Sequence, residues 1–369
     1  MIFRSFLTHS IHYRLAIVSL ILCLSSVSHA EERDYSLKTI ASGFKDPWTM
    51  VFLPNRDILV SQRNGQLKVI TDGKIGSKTV SGVPDVYFAG QGGLLDVLLD
   101  KDFAKNQTIY LSFAHGKRRS NATRLVSAKL SATETHYKLE NVTVLFTASP
   151  TKSTAHHHGG RIAQLDDGTL LMTVGDGYNY REQAQTLDNH FGKIIRVNTD
   201  GSTPDDNPYV GVKGALSEIY THGHRNQQAL LTYKGVIYEH EHGPKGGDEV
   251  NKIAAGTNYG WPVATFGIDY SGARISPFTE YEGMRSPDVN WTPSIAPSGM
   301  TVHDGALYVT SLAEGSIRKL DISGDNLIDR GIVYSKLNER LRDIVSAPDG
   351  SLYVLTDGGN AKLIKIVEN

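Results

Sequence analysis

"GMTVHDGALYVTSLAEGSIRKLDI" (residues 299–322) carries the pattern that sets the fold. Apolar and polar residues alternate on either side of Asp304-Gly305. Alternation puts one face of a strand on a core, and Asp-Gly between two such runs is a hairpin turn. The phrase returns in "WTMVFLPNRDILVSQRNGQLKVI" (48–70) and in "RIAQLDDGTLLMTVGDG" (161–177) with "GKIIRVNTDG" (192–201). "RDIVSAPDGSLYVLTDGGNAKLIKIV" (342–367) is a fourth copy, and 107–130 and 218–243 fit it more loosely. About six strand units of roughly 40 residues, separated by irregular inserts, predict an all-β chain of β-propeller type. A sandwich built from the same strands is the alternative. The earliest strand, "YSLKTIASGF" (35–44), is expected to join the last unit and close the ring.

Before that strand the chain reads as a secretory leader, residues 1–30. Arg4 and Arg14 make a basic start, Leu15 to Leu24 is a mostly apolar run, and Ser28-His29-Ala30 offers a small-x-small cleavage site. The run falls short of the roughly 20 apolar residues needed to span a bilayer. The single cysteine, Cys23, lies within this segment. The remaining chain, 31–369, is read as one domain without disulfides, periplasmic or secreted, and without membrane insertion after cleavage. No Pro/Ser-rich linker divides it. Lys and Arg total 38 against 39 Asp and Glu, and loss of Arg4 and Arg14 leaves 36 against 39. That balance supplies no basic surface for nucleic acid and no polybasic segment for a membrane. A small ligand is expected instead.

The chemically rich segments lie between the strand units: "AGQGGLLDV" (89–97), "AHHHGGR" (155–161), "GHRNQQ" (223–228), "EHEHGPKGGDEVN" (239–251), "GTNYGWP" (256–262) and "NERLRD" (338–343). Loops held by a rigid scaffold are where function concentrates. The three consecutive histidines invite a zinc reading. Adjacent side chains in extended backbone point to opposite faces, so no more than two of His156, His157 and His158 share one ion easily. Calcium is the better expectation: Glu241, Asp248, Glu249 and Asp269 are hard oxygen donors among Gly- and Pro-containing turns. A solvated acidic turn is the bland alternative.

Taken in order, "GQGGLLDV", "GHRN", "EHEHGP-GGDE", "NYGWP", "IAPSGM" and "R-RD…PDG" resemble the soluble pyrroloquinoline quinone (PQQ)-dependent sugar dehydrogenases of the glucose/sorbosone dehydrogenase family, the aldose sugar dehydrogenase branch above all. The likeness runs from about Pro47 to the C-terminus. It implies a six-bladed propeller with its active site on one face, and PQQ and calcium as cofactors. It further implies oxidation of aldose sugars at the anomeric carbon to aldonolactones, with electrons passed to an external acceptor.

By the same resemblance, His157 is the general base, Asp176 orients it, and Arg225 and Asn226 lie beside the quinone oxygens. Gln91, Arg340 and Arg342 match cofactor-holding positions, as three carboxylates on PQQ require. The carbonyls of Gly243 and Pro244 match those that hold the calcium on the cofactor. Glu249, the Tyr259 carbonyl and Asp269 resemble a second, structural calcium site. Gln91, Asp176 and Asp248 match residues of the substrate pocket. Two positions depart from the glucose-oxidising branch: Ala313 replaces a cofactor-contacting lysine, and His156 replaces an aspartate before the base. The first removes a cation from the cofactor and the second alters the wall facing the sugar. A calcium-dependent lactonase or esterase with His157 as base is the rival reading, but it leaves Arg225, Arg340 and Arg342 without a purpose. A non-catalytic exported propeller would have no use for a His157–Asp176 pair.

Overall fold

A computed structural model describes residues 34–76 and 78–368; the leader segment lies outside the described residues. Six sheets form the blades of a propeller. The first four are Pro47–Phe52 to Lys74–Ile75, Thr79–Ser81 to Thr147, Ile162–Gln164 to Ile219–His222, and Gln227–Tyr233 to Val289–Trp291. The fifth is Pro297–His303 to Asn326–Val333, and the sixth runs from Leu341–Ser346 to Ala361–Glu368. The "GMTVHDGALYVTS" phrase is the first hairpin of blade 5, with His303 opposite Ala306 across the Asp304-Gly305 turn. Tyr35–Phe44 adds the outermost strand of blade 6, antiparallel to Ala361–Glu368 from Tyr35↔Glu368 to Phe44↔Ala361. The ring is thereby closed by strands from the two ends of the described chain, leaving one outer edge strand on each blade.

The first strand of every blade after the second, together with Pro47–Phe52 and Leu94–Leu99, packs against its counterparts on both sides around a complete circle. Apolar side chains fill the seams between blades. Leu59 and Val69 meet Leu94 and Leu111 between blades 1 and 2, and Tyr308 and Ile317 meet Ile344 and Val354 between blades 5 and 6. Burying each such aliphatic side chain is worth about 1.5–3 kcal/mol, and with no cysteine among the described residues these seams carry the fold. The seam between blades 3 and 4 differs. Its apolar part is short, with Leu171 and Ile194 facing Leu230 and Ile237, and above it lie the buried polar side chains His224, Gln227, Glu239 and Glu241.

At the centre a single side chain ties the blades together. Arg161, at the entry to blade 3, donates to Thr49 Oγ1 of blade 1, Asp96 of blade 2, the Gln228 carbonyl of blade 4, and the Ser298 carbonyl and Asp343 of blades 5 and 6. Its guanidinium also lies 4.1 Å from the Trp48 ring centre. Two buried carboxylates, Asp96 and Asp343, balance it.

The repeat positions the functional loops. Gln91, His157, Asn226, Ala296 and Arg340 each precede the innermost strand of a blade by one to five residues in the sequence. Successive units place these strand starts at one end of the ring, so loops remote in sequence converge there.

Candidate active site

Two clefts share a wall at this end. The first, about 450 Å³, is lined by His157, Asp176, Tyr178, Arg225, Pro244, Trp261, Asp269 and Tyr270. The second, about 380 Å³, is lined by Arg63, Gln91, His158, Asn226, His242, Arg340, Arg342 and Asp357, among others. The wall consists of two neighbouring pairs, His157–His158 and Arg225–Asn226, each giving one residue to each cleft.

His157 is held from every side. Its Nδ1 lies 2.6 Å from Asp176 Oδ1, its amide donates to Gln91 Oε1 at 2.7 Å, and its ring meets Tyr178 edge-on at 5.1 Å. The Lys152 ammonium caps its carbonyl at 3.2 Å and also that of His156. His157 has a left-handed backbone (φ 49°). A side chain on Gly175 would overlap the His157 carbonyl, so only glycine permits the close approach. Asp176 in turn accepts from Trp261 Nε1 at 2.8 Å and from the Tyr178 amide at 2.7 Å.

The electrostatics follow from these contacts. Burial pushes the His157 imidazole down to about 4, against the opposing pull of Asp176. Burial pushes the Asp176 carboxyl up, but His157, Arg225 and the Tyr178 amide together hold it below its ordinary value. The pair rests as neutral imidazole and carboxylate. With the Nδ1 proton directed at Asp176, Nε2 is the nitrogen with the free lone pair, the tautomer a base requires. Burial also lowers Lys152, to about 7, behind the loop.

The zinc reading fails on geometry. His156 is exposed, His157 is committed to Asp176, and His158 turns into the second cleft, where its Nε2 is buried without a partner. Arg225 has the same feature on the shared wall. It donates Nη1 to the carbonyls of His242 (3.0 Å) and Gly243 (2.6 Å), lies 5.3 Å from the Trp261 ring centre, and leaves its buried Nε without an acceptor. Unmet donors buried at a cleft wall are costly unless a ligand meets them.

In the second cleft Arg340 and Arg342 both reach Asp357, at 3.1 and 3.0 Å, and Arg340 also donates to the Leu312 carbonyl. Asp357 and Arg63 were not singled out in the sequence. The "TDGG" segment reads as a turn, and Arg63 lies inside a strand unit, so neither carries a local signal. Arg63 donates to the Gly90 carbonyl and sits over Phe88, bringing a third guanidinium to the cleft. Trp261 carries no local signal either, since its partner Asp176 is distant in sequence, and Lys152 reaches the carbonyls of its near neighbours His156 and His157 only because the loop folds back.

Two expected sites are placed differently. Asp248 does not face substrate: it is fully buried and accepts from the Gly243, Ile295 and Ala296 amides and the Ser294 hydroxyl. Its role is to fix the "HGPKGG" turn, where a Cβ on Gly243 would overlap the Gly247 carbonyl. Asp269 lines the first cleft and lies 3.9 Å from Arg181, whereas Glu249 and Tyr259 line a separate small cavity. A long exposed loop carries Asp269 away from them. Of the cofactor-calcium pair, Pro244 lines the first cleft, and the Gly243 carbonyl already accepts from Arg225, leaving its second lone pair for a cation.

Residues 44–365 match the family model "Glucose / Sorbosone dehydrogenase", and the chain belongs to that family. Aldose sugar dehydrogenase YliI of Escherichia coli is 36% identical over 361 residues, covering 94% of this chain and 96% of that one. The soluble aldose sugar dehydrogenase of Escherichia coli in its apo form superposes with a TM-score of 0.86 at 34% identity, over 91% of this chain and 100% of the other. The PQQ-bound aldose sugar dehydrogenase of Streptomyces coelicolor gives 0.74 at 26%, over 92% and 99%. The protein is an oxidoreductase of the sugar dehydrogenase type.

Proposed function

We propose that this protein oxidises aldose sugars at the anomeric carbon to aldonolactones, using PQQ and calcium, and passes the electrons to an external acceptor after export to the periplasm or beyond. The observation that carries this reading is the shared wall, with a neutral, oriented histidine on one side and clustered guanidinium groups on the other.

The residues present suit such a cofactor. Arg63, Arg340 and Arg342 supply cations for the three carboxylates of PQQ through charge-assisted bonds. The buried Nε of Arg225 and Nε2 of His158 lack partners that a polar, planar ligand would provide. A Cβ on Gly92 would press on His158 and Ala114, so glycine there lets the 89–93 loop pack closely against the His158 side of the cleft. When bound, the quinone supplies the hydride-accepting chemistry that no side chain offers, and calcium on the Gly243 and Pro244 carbonyls supplies Lewis-acid polarisation.

In this reading His157 Nε2 takes the proton from the anomeric hydroxyl, and Asp176 stabilises the imidazolium that forms. Arg225 faces the negative charge that develops during oxidation, fixed in place by the Trp261 ring and the His242 carbonyl. Gln91 steadies the base loop through the His157 amide. The exposed rings of Tyr178 and Tyr270 border the first cleft, where the sugar sits.

Purified protein mixed with PQQ, calcium, an aldose and a dye acceptor tests the reading. Dye reduction that requires both cofactors is expected. Lactone hydrolysis without quinone, or full activity with a nicotinamide, overturns it.

A further inference from the structure

The polar seam between blades 3 and 4 is a second place where the chain leaves chemistry unfinished. Glu239 and Glu241 project from one strand to the same face, and the register sets Gln227 and Glu249 opposite Glu241, and Asn251 opposite Glu239. All of these side chains except that of Glu249 belong to residues at most 3% exposed, as does His224 beside them.

The donors and acceptors do not balance. Glu241 is satisfied: Oε1 takes His224 Nδ1 at 3.1 Å, and Oε2 takes the amides of Arg225 and Asn226. His224 is satisfied too, with Nε2 2.9 Å from Thr221 Oγ1 and its ring stacked on Tyr259 at 4.7 Å. Asn251 Nδ2 is shared between Glu239 Oε2 at 3.2 Å and Glu249 Oε2 at 3.4 Å. That leaves Glu239 Oε1, Asn251 Oδ1 and Gln227 Oε1 buried with no partner. All three are oxygen acceptors, and the groups acting on Glu239 are Glu241, Asn251 and Glu249, none of them a cation. Ligating atoms of His224, Glu239 and Glu241 lie within 4.8 Å of one another, the one such grouping among the described residues.

Burial and the neighbouring Glu241 push the Glu239 carboxyl up, and surplus acceptors beside paired carboxylates in a dry seam call for a positive guest, a proton or a cation, because each unmet group is costly and like charges compound the cost. Unmet oxygens select a hard cation over zinc or copper. We propose that a calcium-sized divalent cation binds between blades 3 and 4, held by Glu239 and Glu241 with the amide oxygens of Asn251 and Gln227. It is distinct from the Gly243 and Pro244 carbonyls and adjoins the Glu249–Tyr259 cavity, with Asn251 between Glu239 and Glu249. His224 serves as a positioning residue for Glu241. Since Glu241 also holds the amides of Arg225 and Asn226, the ion fastens the loop that builds the shared wall. The site does not depend on the reaction proposed above.

Chelator-stripped full-length protein without quinone, titrated with calcium by calorimetry and followed by thermal melting, tests it. Wild type is expected to bind one more calcium per chain than Glu239→Gln, and the variant is expected to lose part of the calcium-dependent rise in melting temperature. Equal stoichiometry in both overturns the site. So does a Glu239→Gln protein more stable than a calcium-indifferent wild type, which would mean that the carboxylate holds a proton. Should the variant not fold, a crystal structure of wild type at saturating calcium decides: density between Glu239 and Glu241 supports the ion, and its absence overturns it.

Discussion

The two clefts differ in how complete they are. On the His157 side the base loop is internally satisfied: Asp176 holds the ring, Trp261 and Tyr178 hold Asp176, and Lys152 and Gln91 hold the loop. On the other side His158 Nε2 has no partner, while Arg340 and Arg342 share a single carboxylate. The contrast separates two tasks. Proton removal needs a base fixed before substrate arrives, so its supports belong to the protein. Cofactor binding needs donors left open for the ligand. Arg225 stands on the border, with one nitrogen engaged by carbonyls and another open.

Each variant below sharpens that division. His157→Ala should lower turnover by about 10²–10⁴-fold, the size of a general-base contribution, with PQQ affinity nearly unchanged. Changing exposed His156 should do far less, and equal losses from the two would dissolve the distinction between them. Turnover measured at saturating PQQ, beside a PQQ titration, separates the effects. Arg342→Ala belongs to the other side and should weaken PQQ binding by about 1.5–3 kcal/mol, the range for a hydrogen bond to a charged group, raising the PQQ concentration needed by about 10–150-fold. Normal PQQ binding with slow turnover in that variant would misplace Arg342. Arg225→Ala should act on turnover at saturating PQQ, because its charge is needed when charge develops.

The smallest effect concerns pH. Because the folded His157 is depressed to about 4, the base stays neutral well below the ordinary histidine range, and kcat/KM should fall only as pH approaches about 4. The sign for stability is the same as for a buried neutral histidine. Above the unfolded value of about 6.5 the contribution is complete. As pH drops toward the folded value, the unfolded chain takes up the proton first and stability is lost. An acid limb centred near the ordinary histidine value would show that the imidazole is not desolvated in the working enzyme.

Much of this was legible in the sequence, and the boundary has physical causes. Alternation and Asp-Gly turns are local, so the repeated hairpins and the closure by 35–44 could be read directly. His157, Asp176, Arg225 and Gln91 came from loop phrases whose roles rest on family resemblance. Long-range partners left no trace: nothing near Trp261 in sequence points to Asp176, and nothing near Asp357 points to Arg340 and Arg342. Asp248 shows the opposite case: the resemblance makes it a substrate contact, whereas its carboxylate ties down backbone amides. Arg161 read as the end of a motif, yet it bonds to the other five blades.

The most direct test of the central claim is a single-turnover experiment on protein loaded with PQQ and calcium, without any acceptor. The account predicts that an aldose bleaches the quinone absorbance in wild type, and that His157→Ala, carrying the same amount of quinone, bleaches about 10²–10⁴-fold more slowly. A wild type that binds quinone but leaves its absorbance unchanged on aldose addition, or a His157→Ala protein that bleaches at the wild-type rate, would contradict it.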